Sequence, residues 1–542
     1  MARKKLTLAE QKEYIFAHLD SMSNKEIAKE LGIPRDVVQK HRESHAVHIS
    51  GKSLASYTQT KLIEKLSFIP FDKLNEPKTR RIIKWAIFAV ILLLAMNLRK
   101  HTFDLPHLRG DQAHYAALAF NLDTKGIGGY SLRGVDELVD QKNVGLLSFQ
   151  AAKDKGSVLK GLEAGGITYY DLPLHHIPWG FPMALAISHK IFAPNDPFHV
   201  LYIPNDAEVI QNATRGIGLE YFRFPGEIKN KQFYAVIVPF LFSLLFITMT
   251  YFLAKTLYDN EWIALTAMYL ITISPEDLLT SQKVWADDMT AALTTLAVFL
   301  FFLAIKKKLP VLAFIGGVSC GLAAMTKQNG AFVIIALFFW HLLTNFDRLL
   351  KKETFLSFFF DKYIILFGSG ALIGCGFWFY KAYSVYGNPF FQPKQANIAK
   401  VAGTSWFDMV SSRPKYIHIT VSCFQNPYFT LALLSPAWLF FKKLKIKETT
   451  FLLIFLAVFL YILEFYLGAG GKEIRYGLPA YPVYAILGAY AADHLRELID
   501  KKTSFRIGTV LFVSGLIFSA YWSIPMGLTT LFMNEALILR PF

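Results

Sequence analysis

Long apolar runs, recurring along almost the whole chain, constrain it more than any other feature. They occupy residues 82–98, 233–257, 262–273, 285–305, 311–326, 331–343, 363–380, 428–441, 451–467, 478–492 and 507–524. A helix that crosses the hydrocarbon core of a bilayer needs about 20 mostly apolar residues. Such runs suit buried spans, and a chain that is 53% hydrophobic and only 18% charged cannot give each of them a solvated face. The expected fold class is therefore an all-α polytopic membrane protein, with about eleven transmembrane helices.

The charges supply the sidedness. Formal net charge is +16, from 57 Lys and Arg against 41 Asp and Glu. If the spans alternate from a cytoplasmic N-terminus, the inner loops hold Lys255; Lys306, Lys307 and Lys308; Arg348, Lys351 and Lys352; Lys442, Lys443, Lys445 and Lys447; and Arg496, Lys501, Lys502 and Arg506. The dense basic clusters between spans all fall on one side, as the positive-inside rule requires. The other side receives a very long loop, 99–232, and shorter segments at 274–284, 327–330, 382–427 and 468–476. Long loops gathered at one face are where function is usually carried.

Residues 1–60 are expected to form a small cytoplasmic helical segment, with 61–81 as a basic juxtamembrane connector, 82–495 as the membrane domain and 496–542 as a last span and tail. Residues 1–81 have no early apolar core, so no signal peptide is expected. Within them, Ser23 can cap a helix with Glu26 closing a capping box, Gly32 makes a turn, and Pro34 suits the start of a second helix. Ile27, Ala28, Leu31, Ile33, Val37 and Val38 can pack the pair. Over about twenty residues this is similar to a helix-turn-helix. Nucleic acid is one partner it could serve; a structural or protein-docking role is the other. Cys320, Cys375 and Cys423 are far apart and lack metal-type spacing, so neither a disulfide framework nor a zinc site is expected.

Four features cluster at the outer side. The first is Asp111, which heads an amphipathic helical stretch sharing one face with His114, Tyr115 and Leu118; it reads as a catalytic acid or as a helix cap. The second is Asp287 and Asp288, opening a span. Acids at a membrane are costly and usually face a cavity, although a helix N-terminus also favours them. The third is Lys327, in a tight link between spans, which binds an anion or snorkels to the interface. The fourth is Lys472, Arg475 and Tyr476, following Gly470 and Gly471, where backbone can approach a phosphate; an interfacial anchor is the plainer reading. Carboxylates on one part and cations on another divide the labour of moving a sugar from a lipid phosphate to a hydroxyl: a base takes the acceptor proton, and cations hold the departing phosphate. No Ser-His-Asp arrangement is evident and no G-x-x-x-x-G-K-[ST] motif occurs, which argues against ATP-driven chemistry.

In order and sidedness these residues resemble the GT-C class of membrane glycosyltransferases, in the branch of protein O-mannosyltransferases and lipid A aminoarabinose transferases. The resemblance rests on Asp111 with Tyr115 and Ala119; His176, Pro178 and Pro182; Asp288-Met289; Gly321 to Lys327; Gly387-Asn388-Pro389; and Arg475, Tyr476 and Pro479. It implies a GT-C fold with a large first extracytoplasmic loop, a polyprenyl-phosphate-linked sugar as donor, a hydroxyl acceptor, and Asp111 as the essential acid. Asp288 is the second catalytic candidate. Lys327, Arg475 and Lys472 would bind the donor phosphate, with His114, Tyr115, Asp287 and Tyr476 in support. The chain departs from the pattern at Gln112, where many members carry Glu, and this weakens a metal role for the pair. Metal ligands stay unassigned and a divalent cation stays open as cofactor. Residues 195–228 match nothing in the pattern, and no Trp-Trp-Asp triplet occurs, which separates the chain from the oligosaccharyltransferase branch. The rival reading is a transporter or flippase of a lipid-linked or anionic solute. It lacks an inverted repeat and a pair of interrupted spans. A membrane-tethered regulator would leave the outer acids without a role.

Overall fold

The computed structural model describes residues 23–39, 77–100, 111–130, 177–195, 226–351, 355–387, 426–433, 446–467, 474–503 and 506–532. The described residues contain helices and turns and no strand. They divide into two units, Met1–Trp85 and Ala86–Phe542.

In the first unit, helix α1 (Asn24–Leu31) begins with the expected reciprocal cap. Ser23 N donates to Glu26 Oε2 at 2.8 Å, and Glu26 N donates to Ser23 Oγ at 3.4 Å. Those bonds hold the Glu26 carboxyl below its ordinary value. The chain leaves α1 at Gly32, whose φ of +65° lies in the left-handed region that glycine tolerates. It is helical again over 35–39, where Val38 packs on Ile27.

The second unit is a helical bundle. Its elements are α2 (Pro77–Arg99, from Ala86 onward), α3 (Asp111–Lys125), α4 (Gly180–Phe192), α5 (Gly226–Tyr258), α6 (Glu261–Thr272), α7 (Pro275–Thr280), α8 (Asp287–Lys307), α9 (Pro310–Thr326), α10 (Phe332–Thr344), α11 (Lys362–Tyr386), α12 (Pro427–Leu433), α13 (Ile446–Leu467), α14 (Tyr481–Lys502) and α15 (Ile507–Phe532). Every apolar run thus meets a helix, although 428–441 is described only to Leu433. Among the described residues, five helices are long and apolar enough to cross a membrane: Lys78–Arg99, Phe233–Tyr258, Asp287–Lys307, Lys362–Val385 and Ile507–Gly527. Glu261–Thr272, Pro310–Thr326 and Gln328–Thr344 are shorter. At about 1.5 Å per residue, the shortest of these falls well below the roughly 30 Å of hydrocarbon. Length alone therefore does not carry the full count of about eleven crossings.

α8 is the central helix, buried along most of its length and packed between α5 and α9. α2 and α15 lie at the edge, and Val90 and Val510 on them are exposed apolar side chains of the kind lipid would cover. The tightest contact joins α9 and α11. Gly317 and Gly321 on α9 meet Gly370 and Gly374 on α11, and a Cβ added to Gly321 would stand 2.4 Å from Ala371 O and 2.7 Å from Gly374 Cα. Four-residue glycine spacing on both helices lets their backbones approach this closely.

Among the described residues, the basic turns and the acid-bearing turns lie at opposite ends of the bundle. At one end Lys306 Nζ donates to Thr256 O at 3.3 Å, and Trp340 Nε1 donates to Lys447 O at 3.1 Å. At the other end lie Asp287, Lys327 and Arg475.

Candidate donor-phosphate and acid site

α8 opens with two acids in its first turn, where the helix dipole favours negative charge. They serve different partners. Asp287 Oδ1 accepts from Lys327 Nζ at 2.6 Å, and its Oδ2 lies 4.0 Å from Arg475 Nη1. Asp288 accepts from Thr280 Oγ1 at 2.9 Å and is fully buried beside Asp277.

Lys327 stands where α9 ends. Its extended backbone (φ −157°, ψ 134°) turns the chain out of the helix into a 3₁₀ turn, Gln328–Ala331. That turn folds hard against α9: a Cβ on Gly330 would meet Ala323 C at 2.5 Å. Arg475 comes from a 3₁₀ stretch, Ile474–Ala480, leading into α14. Asn329 Nδ2 donates to Tyr476 O at 2.9 Å and so ties these two turns together.

Aromatic faces back both cations. The Arg475 guanidinium lies 3.9 Å from the Trp285 ring centroid, and Lys327 Nζ lies 3.8 Å from that of Tyr476. Such stacking stabilises a cation most where water is scarce, and Arg475 is buried. Lys327 is the more exposed cation, with 21% of its side chain accessible against 5% for Arg475, so it forms the open edge of the cluster.

A second buried network supports the acids. Arg99, at the end of α2, forms an ion pair with Asp277 of α7, and both side chains are fully buried. Arg99 Nε donates to Ser243 Oγ at 2.7 Å, its Nη1 and Nη2 reach Thr272 O at 3.2 Å, and Ser243 Oγ in turn donates to Asp277. Nearly every valence of the buried guanidinium is used, which such a charge needs in order to be tolerated. The network fixes α7, and α7 presents Thr280 to Asp288. Also on α7, burial pushes the Glu276 carboxyl above its ordinary value.

α3 begins at Asp111, the residue singled out first in the sequence. The side chains of Asp111 and His114 lie outside the described residues, as does Lys472. The helix itself is anchored to the acid end of α8, because Val284 N donates to Gln112 Oε1 at 3.0 Å. α3 is less amphipathic than its spacing suggests. Gln112, Tyr115 to Ala119, Asn121 and Leu122 are all buried, since α4 covers it and Tyr115 packs edge-on against Phe181 at 5.0 Å. Tyr115 is thus part of a packed core.

The structure brings together Asp287, Lys327, Arg475 and Tyr476, and sets Asp288 facing inward beside them. Sequence inspection passed over Trp285, Thr280 and the Arg99–Asp277 pair. Trp285 had a signal, standing just before the acids at the mouth of a span; Arg99 had none, with a partner 178 residues away. Among the described residues, no three His, Cys, Asp or Glu side chains gather as metal ligands.

The described architecture is that of an all-helical, multi-pass membrane protein with a cluster of cations and carboxylates at one end of its bundle. Residues 226–367 match the family model described as dolichyl-phosphate-mannose-protein mannosyltransferase. That stretch holds Asp287, Asp288 and Lys327, and over it the resemblance read from the motifs is borne out. No curated protein matches the chain. Among solved structures, the apo oligosaccharyltransferase of Archaeoglobus fulgidus is similar at 12% identity and a TM-score of 0.46, over 83% of this chain and 56% of that one. The chain therefore spans little more than half the length of that protein. ArnT from Cupriavidus metallidurans bound to undecaprenyl phosphate is similar at 12% identity and a TM-score of 0.44, over 84% of this chain and 77% of that one.

Proposed function

We propose that the chain is a membrane glycosyltransferase of the GT-C class, moving a sugar from a polyprenyl-phosphate-linked donor to a hydroxyl acceptor. The observation that carries this reading is the convergence of Lys327 and Arg475, from distant segments, on one carboxylate at the mouth of the bundle. Two cations backed by aromatic rings suit a phosphate whose charge grows as the sugar leaves. The family match over 226–367 supports the same donor class, since that family is described by its dolichyl-phosphate-mannose donor.

In this reading the acceptor oxygen attacks the anomeric carbon. The bond from that carbon to the phosphate oxygen breaks, and its electron pair goes to the phosphate, where Lys327 and Arg475 receive the charge. The acceptor proton goes to the carboxylate of Asp111, the general base. The anchoring of α3 by Gln112 supports this role, because it keeps the helix that Asp111 heads against the loop leading to α8. Asp288 is the second acid, oriented by Thr280. Lys472 joins Lys327 and Arg475 as a donor-phosphate residue, and His114, Tyr115, Asp287 and Tyr476 support the site.

The basic loops further support a cytoplasmic N-terminus and an extracytoplasmic site in the cell membrane. Cysteine labelling at positions Ser148 and Lys307 tests the orientation, and reaction of both from one side removes it. Activity is tested with purified protein in detergent and a polyprenyl-phosphate donor radiolabelled in its sugar. Release or transfer of label that stops in Asp111→Asn is the expected result; no turnover of any such donor overturns the reading.

A further inference from the structure

Asp287 has an odd position for a residue beside an anion site. Its carboxylate occupies both cations that would hold the phosphate, yet it does so incompletely. Oδ1 takes a 2.6 Å bond from Lys327, while Oδ2 is buried, has no hydrogen-bond donor and lies 4.0 Å from the Arg475 guanidinium. A buried acceptor left without a donor is costly, so this contact is weaker than a bidentate Arg–carboxylate pair. The guanidinium carbon instead lies 3.9 Å from the Trp285 ring centroid, and Lys327 is the more open of the two cations.

The charges make this arrangement meaningful. Asp287 sets one negative charge against both cations, Lys327 and Arg475. A sugar–polyprenyl phosphodiester carries one negative charge, whereas the polyprenyl phosphate left after transfer carries about −1.5 to −2 near neutral pH. Two unopposed cations would hold the product more tightly than the donor, and the site would fill with spent lipid.

We propose that Asp287 is an internal competitor for the leaving phosphate: it shares Lys327 and Arg475 with the bound anion, and its pull on them returns the polyprenyl phosphate product to the membrane. This inference rests on the reading of those two cations as the phosphate site. It gives Asp287 a role in product release, distinct from the acids that handle protons.

Binding measurements on the full chain in detergent test it, with isothermal titration calorimetry as readout. The probes are undecaprenyl phosphate, a monoester, and undecaprenyl methyl phosphate, a diester with one charge. Asp287→Asn and Asp287→Ser are expected to tighten the monoester at least roughly tenfold, because a like charge beside the anion has been removed, and to tighten the diester less. Lys327→Ala and Arg475→Ala weaken both probes. Monoester binding that is unchanged or weaker in the Asp287 variants, with the cation variants still impaired, overturns the competitor role and leaves the phosphate site standing. Equal binding in all variants overturns both.

Discussion

Lys327 Nζ and Asp287 Oδ1, 2.6 Å apart, join the end of one helix to the beginning of another. α9 delivers the cation as it unwinds, and α8 delivers the acid in its first turn. Neither group could sit here alone at low cost, because an unpaired charge in a water-poor site is strongly disfavoured. Their pairing also brings Arg475 and its aromatic support to the same point, so each residue of the cluster is held by at least one other.

The first prediction concerns Arg475. Its guanidinium both stacks on Trp285 and faces Asp287. Arg475→Ala removes charge and stacking together and should weaken polyprenyl phosphate binding by about 1.5–3 kcal/mol, the scale of a hydrogen bond to a charged group. Arg475→Lys keeps the charge and loses the planar fork, so it should fall between Ala and wild type. Titration in detergent decides this; identical affinities in all three proteins would take Arg475 out of the site.

Asp111→Asn tests the base. The substitution keeps size and hydrogen-bonding capacity while removing the basic oxygen. Turnover should drop about 10²–10⁴-fold, the usual contribution of a positioned base, with lipid-phosphate binding retained. Asp111→Glu should recover little, because a displacement of about 1 Å can cost roughly 10²-fold. Wild-type turnover in Asp111→Asn would make Asp111 a helix cap.

The α9–α11 contact should be intolerant of a single methyl group. Gly321→Ala drives a Cβ against the backbone of Ala371 and Gly374, which cannot move aside as a side chain could. A loss of about 1–3 kcal/mol is expected, as in other overpacked interiors. Gly376→Ala, on the same helix α11 but only 3.8 Å from the flexible end of Leu372, should be tolerated. Thermal unfolding in one detergent compares them, and equal midpoints for the two variants would show that the helices can separate freely.

The buried pair makes a fourth prediction. Arg99→Leu or Asp277→Leu strands its partner's charge and should destabilise by about 3–5 kcal/mol. The double substitution removes both charges and should be less damaging than the sum of the two. Additive losses in the cycle would mean that the pair contributes nothing through its contact.

Much of the site was legible residue by residue. Lys327 and Arg475 stood out because each is a cation at the end of an apolar run, and both converge on Asp287. Asp287 and Asp288 stood out as a pair, but the sequence reads them as neighbours with a common task. Successive residues on a helix point about 100° apart, so one acid faces the cations and the other faces Thr280. The glycine spacing 317–321 and 370–374 was visible and went unread, because spacing matters only once it is known which two helices touch.

Amino-acid order alone determined the medium of this protein and the sequence of its helices, since an apolar run of bilayer length and a capped turn are local facts. Its basic clusters also carry the expectation of which loops share a side, since Lys and Arg are enriched in cytoplasmic loops. Tertiary structure decided everything that depends on two distant segments meeting. It gave Arg99 its buried partner in Asp277, closed Gln112 onto Val284, and set the Asp287 carboxylate against Lys327 and Arg475. The reason is physical: the cost of burying a charge is written in one residue, but the group that offsets it is chosen by packing.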